Sequence, residues 1–207
     1  MKKIAIINYG LGNLFSIKSA CNKVGMNGVL TDSEKIIMDS DAIILPGVGS
    51  FNEAMKKIKI KKLDIIIKSF FDTQKPVIGI CLGMQLFFEK SYENKMTEGL
   101  KFIKGDVRSF NSNNKLNYDL NIGWYSILKS KNDKIMKDIK DSSYMYFVHS
   151  YYCNPADENI ILTKTKFNNF NYCSSIKYKN LYGFQFHPEK SGENGLNVYN
   201  NLKKILS

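Results

Sequence analysis

The sequence predicts an α/β protein with a parallel core sheet flanked by helices and additional antiparallel strands in its second half. Three observations lead there. Short β-branched runs at 4–8, 29–31, 41–45 and 76–80 alternate with helical stretches through the first half. Capping residues and glycines punctuate those helical stretches where helix starts and stops are expected. From about residue 100 the strand-like runs follow one another without long helices between them, which suggests antiparallel pieces joined to the edge or end of the parallel core.

Taken in order, residues 4–8 form the first buried strand. Asn13 can cap a helix running to about Val24, with Gly25 as its stop, and 29–31 return as a short strand. Residues 41–45 are the next strand, closed by Pro46-Gly47. Ser50-Phe51-Asn52-Glu53 is a capping box that starts a helix, and a second amphipathic helix covers 63–71. Residues 76–80 are a strand, followed by Cys81 and a helical pattern over 84–90. Later strands are expected at 101–110, 144–148, 160–165, 172–178 and 181–186, with a closing helix over 195–206. Between them, 111–118 is polar and rich in asparagine and reads as a mobile surface loop. With no internal repeat and no interdomain linker, one domain is expected over 1–207.

At 207 residues, with 43% hydrophobic and 24% charged, the composition excludes collagen-like, disordered and disulfide-scaffold classes. No apolar run approaches the roughly 20 residues needed to cross a bilayer. The start, Met1-Lys2-Lys3 followed by four apolar residues, is too short for a secretory signal, so a cytoplasmic protein is expected. Cys21, Cys81, Cys153 and Cys173 are far apart and form no CxxC pair, so no metal site or disulfide framework is expected and no cofactor is implied. The net charge of +11 invites a nucleic-acid or membrane-surface reading. Arg108 is the single arginine, however, whereas nucleic-acid readers lean on arginine, and lysine is spread widely alongside abundant Asn, Ile, Tyr and Phe. An AT-rich coding bias accounts for this better than a basic binding face does, so neither nucleic acid nor membrane is expected as a partner.

Gly79-Ile80-Cys81-Leu82-Gly83 lies where a buried strand turns abruptly into a helix, the setting of a nucleophile elbow. The flanking glycines let strand and helix approach each other, and a thiol at the tip faces the positive end of the helix, which favours thiolate. Cys21, Cys153 and Cys173 read as inert core residues. A cysteine nucleophile needs a base, and only His149 and His187 are available. His187 ends a strand in Phe186-His187-Pro188-Glu189, where Glu189 is near enough in sequence to orient the imidazole; the alternative is a surface histidine beside a solvated glutamate. His149, among aromatic residues, reads as structural or pocket-lining. Pro46-Gly47-Val48-Gly49 follows a strand and can present backbone N–H groups; with the N–H of Leu82 it has the makings of an oxyanion hole. Gly10-Leu11-Gly12-Asn13 lacks the third glycine of a dinucleotide fingerprint, and NAD binding is rejected.

Together, Asn8-Tyr9-Gly10-Leu11-Gly12-Asn13, the Pro46 to Gly49 loop, the elbow continuing into Met84-Gln85, Tyr146-Phe147-Val148-His149-Ser150-Tyr151 and Phe186-His187-Pro188-Glu189-Lys190-Ser191-Gly192 resemble the class I glutamine amidotransferases over nearly the whole chain. More narrowly they resemble the glutaminase subunits of imidazole glycerol phosphate synthases. The resemblance implies a flavodoxin-like fold and a Cys81, His187, Glu189 triad that hydrolyses glutamine. It implies Val48 and Leu82 at the oxyanion, and Gly49, Gln85, Glu93 and Ser150 at the substrate. It also implies ammonia transfer to a (β/α)8-barrel cyclase subunit as heterodimer partner, with Trp124, Tyr146 and Lys190 at that boundary.

One stretch departs from the pattern. Where the family usually shows Pro-His-Met-Gly-Trp-Asn, this chain has Leu120-Asn121-Ile122-Gly123-Trp124-Tyr125. These positions are expected on the docking side, so the change bears on the partner and leaves open a relative that feeds ammonia to another acceptor, such as a surface sugar. Two other readings compete: a non-catalytic module that uses its charge to hold an anionic partner, and a self-contained thiol hydrolase acting on glutamyl peptides.

Overall fold

Alternate side chains of the first apolar run feed two different cores. Ile4 and Ile6 pack into one cluster with Ile17, Cys21, Val198 and Leu202, while Ala5 and Ile7 pack into another with Phe51, Ile58, Ile67 and Phe70. A strand's period of two sends neighbours to opposite faces, so a continuous apolar run is what a sheet covered on both sides requires.

The computed structural model describes residues 1–110 and 120–207; the expected loop at 111–118 lies outside the described residues. The first half runs β1 (Lys3–Ile7), α1 (Leu14–Lys23), β2 (Asn27–Thr31), α2 (Glu34–Met38), β3 (Ala42–Leu45), α3 (Phe51–Ile60), α4 (Leu63–Asp72), β4 (Val77–Ile80) and α5 (Leu82–Gln85). The second half adds β5 (Phe88–Ser91), β6 (Thr97–Glu98), β7 (Ile103–Ser109), β8 (Asn121–Lys129), β9 (Tyr144–His149), β10 (Tyr151–Pro155), β11 (Ile161–Phe167), β12 (Phe170–Tyr178), β13 (Leu181–Phe184) and α6 (Gly192–Ile205). The strands β2-β1-β3-β4-β13 are parallel, and β12, β10, β7, β5 and β6 continue the sheet largely antiparallel. A branch from β12 through β11 and β8 ends at β9.

The expected caps form. The Asn13 side chain accepts from Ser16 N, and Ser50 Oγ accepts from Glu53 N, each the kind of bond worth about 1 kcal/mol to a helix. Gly25 follows α1 with φ +76°, the left-handed stop.

Three expectations need correction. The helix expected at 84–90 ends at Gln85, and β5 begins at Phe88. Phe87 and Phe88 are fully buried, and Phe88 pairs with Ile103; a short apolar run does not by itself distinguish strand from helix. Residues 181–184 are not an antiparallel appendage: β13 pairs in parallel with β4 and is buried throughout, as the fifth strand of the parallel core. Finally, α2, β6, β8 and β10 have no counterpart in the sequence expectations.

At the β4–α5 corner, the backbone approaches so closely that side chains are excluded. A Cβ on Gly83 would lie 1.8 Å from Leu45 O, whereas one on Gly49 would meet nothing within 4 Å. Gly83→Ala is therefore expected to lose about 3 kcal/mol or more in urea unfolding, and Gly49→Ala only the ~1–2 kcal/mol of its positive φ. Equal costs would refute this account of the corner.

Candidate active site

Adjacent parallel strands end at one edge of the sheet, and β3, β4 and β13 all do so here. Leu45 ends β3 and leads into the Pro46 to Gly49 loop, Ile80 leads into Cys81, and Phe184 lies three residues before His187. The β4–β13 register pairs Ile80 with Phe184, and Cys81 N extends it by donating to Phe184 O at 2.7 Å. Cys81 adopts φ 54°, ψ −111°, a strained conformation for a non-glycine residue that costs about 1–3 kcal/mol and is held by the surrounding packing. The elbow expected from its glycines is thus present. The four-residue α5 is too short to carry much of a helix dipole, so the positive charge beside the thiol has to come from elsewhere.

It comes from His187. The Nδ1–H of His187 donates to Glu189 Oε1 at 2.8 Å, and the side chains of both residues are almost wholly buried. Nε2 is buried and has no hydrogen-bond partner among the described residues. Burial works to lower the pKa of His187, but the charge of Cys81 and its interaction with the ring, together with Glu189, outweigh it and raise the pKa to about 10. His149 goes the opposite way. Burial, opposed by its bond to the Tyr151 carbonyl and reinforced by the charge of His187, lowers it to about 3. Near neutral pH the two histidines therefore divide into an imidazolium and a neutral ring. His149 is a structural histidine and wall of the pocket, as expected.

The turn carrying His187 is itself held. His187 N donates to Tyr146 O at 2.9 Å, Tyr146 N donates to Ser191 Oγ at 2.9 Å, and Ser191 Oγ–H donates to His187 O at 2.7 Å. Tyr9 holds the other side of the site, its hydroxyl donating to Pro46 O at 2.5 Å; burial, with the charge of Cys81, pushes that phenol well above its ordinary pKa.

A cavity of about 200 Å³ opens over the thiol, lined by Val48, Gly49, Cys81, Leu82, Gln85, Glu93, Val148, His149, Ser150 and Tyr151. It is smaller than the roughly 300 Å³ at which drug-sized pockets begin, and suits a ligand the size of one amino acid. A wider cleft of about 980 Å³ around Lys134, Tyr182, Asn201 and Lys204 contains none of the expected site residues. Every expected oxyanion and substrate residue lines the small cavity. Two of them are already engaged: Glu93 Oε2 accepts from Phe51 N at 2.6 Å, and Gln85 Nε2 donates to both Tyr151 O and Gln185 Oε1 at 3.0 Å. Gln85 consequently has only its carbonyl oxygen left for a ligand.

Gln185 escaped the sequence reading. It is fully buried and its Nε2 donates to Cys81 Sγ at 3.6 Å. The available signal was a polar residue inside an otherwise apolar strand-like run two positions before His187, because buried polar groups are the informative exceptions.

The description of class-I glutamine amidotransferases fits residues 5–204 of this sequence. The chain belongs to that family. Among relatives of this amidotransferase, "Imidazole glycerol phosphate synthase subunit HisH" of Aquifex aeolicus is 39% identical over 203 residues, covering 98% of this chain and 96% of its own. The protein of the same name from Pyrococcus furiosus is 41% identical over 205 residues, covering 99% and 100%. Solved structures share the fold at lower identity. PurLQS from Thermotoga maritima matches with a TM-score of 0.77 at 16% identity over 100% of this chain and 99% of its own. The glutaminase domain of Trypanosoma brucei CTPS with bound acivicin matches at 0.70 and 16% identity over 100% and 94%.

In this amidotransferase Trp124, Tyr146 and Lys190 come together. The indole lies edge-on to Tyr146 at 5.9 Å between centroids, and Lys190 Nζ lies 5.7 Å from the Tyr146 ring. Ile122 and Trp124 are half exposed on the outer face of β8. Asn121 and Tyr125 were expected on that docking side, but strand alternation turns them inward. Asn121 is fully buried and donates to His149 Nε2 at 3.0 Å and Tyr172 OH at 2.8 Å, while Tyr125 packs edge-on against Phe147 and Phe167. Of the positions that depart from the family stretch, Asn121 and Tyr125 therefore lie on the inner side of β8, whereas Leu120 and Ile122 are exposed.

The opposed shifts predict the charge of each ring. In an NMR titration, His187 should remain imidazolium to about pH 10 and His149 neutral to about pH 3. By linkage, the stability from His187 is complete below about pH 6.5 and is lost as the pH rises toward 10. That from neutral His149 is present above about 6.5 and is lost as the pH falls toward 3. Both rings titrating near 6.5 would contradict the assignment.

Proposed function

We propose that the chain is the cytoplasmic glutaminase subunit of an imidazole glycerol phosphate synthase in histidine biosynthesis. It hydrolyses glutamine to glutamate and passes the ammonia to a (β/α)8-barrel cyclase subunit in a heterodimer. The observation behind the chemistry is the strained Cys81 elbow beside a buried His187–Glu189 pair.

The steps follow from charge. With glutamine in the cavity, Cys81 Sγ attacks the side-chain amide carbon, and the developing oxyanion is met by the N–H groups of Val48 and Leu82. His187, already imidazolium, gives its Nε2 proton to the leaving amine; ammonia departs and a glutamyl thioester remains. The now neutral imidazole takes a proton from the attacking water, glutamate leaves, and the thiolate–imidazolium pair is restored. Glu189 keeps Nδ1 protonated and stabilises the imidazolium throughout. Gly49, Glu93, Ser150 and the Gln85 carbonyl oxygen orient the substrate.

The surface group of exposed Trp124 and Lys190 around half-buried Tyr146 supports the partner assignment, since clustered aromatic residues are typical interface anchors. The full-length synthase-subunit relatives favour the histidine-pathway acceptor over a surface sugar, and the inward-facing Asn121 and Tyr125 do not lie at the surface a partner would meet. Cys81→Ala should lower glutamate release by at least ~10³-fold while still binding the cyclase subunit. The wild-type chain should be strongly stimulated by that subunit with its nucleotide-like ligand. Retained activity in Cys81→Ala would rule out the thiol mechanism. Absence of stimulation with a cyclase competent on free ammonia would rule out the pathway.

A further inference from the structure

We propose that Gln185 is a further catalytic residue: its side-chain amide donates a hydrogen bond to Cys81 Sγ and holds the sulfur as an attacking thiolate. The proposal rests on Cys81 being the nucleophile, and it assigns the group on the sulfur's protein side, away from the substrate.

The donor direction is fixed by the neighbouring groups. The Tyr151 carbonyl can only accept, so the amide of Gln85, 3.0 Å away, must present Nε2 to it. The second N–H of the same nitrogen then points to Gln185 and is met by Oε1 at 3.0 Å. With Oε1 committed, the end of Gln185 facing Cys81 is Nε2, 3.6 Å from Sγ. Turning the amide over would set nitrogen against nitrogen on one side and oxygen against sulfur on the other. The Gln185 backbone is anchored as well, its N–H donating to Ser174 O at 2.9 Å. The same logic runs outward. His149 Nδ1–H donates to Tyr151 O at 2.8 Å, which leaves Nε2 to accept from Asn121, so the amide orientations are set from β8 inward to the nucleophile.

The chemistry asks for such a donor. Gln185 is fully buried and does not line the cavity, so it contacts the nucleophile without contacting substrate. A hydrogen bond to an anion is about twice as strong as one between neutral groups, and thioester sulfur is a weak acceptor. The Gln185 bond is therefore strongest when sulfur is thiolate: before attack, and again when sulfur leaves during thioester hydrolysis. In the thiol form, the S–H of Cys81 is directed at Val148 O, 3.8 Å away. The ionisable groups around the sulfur are the His187–Glu189 pair, neutral His149, Glu93 across the cavity, and the buried Tyr9 and Cys153, whose own pKa values are pushed up by burial.

Alkylation of Cys81 by iodoacetamide across the pH range, in the full-length chain with Cys81→Ala as the blank, reads the thiolate population without requiring turnover. Gln185→Met keeps the bulk and removes the donor; its alkylation midpoint is expected to rise by about one pH unit, with the high-pH plateau little changed. Gln185→Glu keeps the acceptor for Gln85 but sets oxygen against sulfur, and should rise further. Gln85→Met frees the Gln185 amide to turn and should give a smaller rise. A merely structural role would lower the plateau or the melting temperature without moving the midpoint. Wild-type midpoints in the Gln185 variants, or in Gln85→Met should those variants fail to fold, would overturn the proposal. Failure of the glutaminase reading itself would appear separately, as no glutamate release by the wild-type chain.

Discussion

The parallel pairing of β13 with β4 is the constraint on which the site depends. These strands come from distant parts of the sequence, yet their register, Ile80 opposite Phe184, sets where the elbow and the histidine turn emerge. A shift by one residue would reverse every side chain of a strand buried on both faces, so the two cores defend this register strongly. The bond from Cys81 N to Phe184 O extends it to the nucleophile's own backbone, and Gln185 and His187 follow within three residues of that point. Triad geometry is thus an outcome of sheet packing, with little left to flexible loops.

Electrostatics then differentiates groups that the fold has merely gathered. Two buried histidines lie close enough to influence one another, yet one has an adjacent carboxylate and thiol and the other has only neutral hydrogen-bond partners. Desolvation opposes charge on both, and the partners decide the winner. The neutral ring of His149 is useful for that reason. It accepts and donates in fixed directions, so it can orient the amides beneath the pocket without competing for the proton that His187 transfers.

Much of this was legible from residue types and spacing. Gly79 and Gly83 around Cys81 announced the elbow because nothing larger fits there, and Ser50 with Glu53 announced α3 because the capping bonds are local. Proximity of Glu189 to His187 in sequence made them a candidate pair, with a solvated surface pair as the alternative until the structure placed them 2.8 Å apart and buried. What could not be read depends on pairing between distant segments. The run after Gln85 is apolar in either a helix or a strand, and only its partner β7 settles the matter. Residues 181–184 looked like their antiparallel neighbours because periodicity does not encode strand direction. Asn121 and Tyr125 were assigned to the surface by analogy of position; without knowing the phase of β8, inward and outward residues look the same. Gln185 was missed because a single amide in an apolar strand has meaning only once its donor and acceptor are located.

The turn from His187 to Ser191 also closes the outer edge of β9. Strand β9 pairs with β8 on one side, and on the other the Tyr146 N–H and C=O are taken by Ser191 and His187. An unoccupied edge of this kind is a template for strand addition by another chain. Loosening the histidine turn would therefore do two things in one motion: move the imidazole away from the thiol and uncover an adhesive strand. The hydrogen bonds that hold the histidine turn are thus the same ones that occupy the Tyr146 backbone on the outer edge of β9.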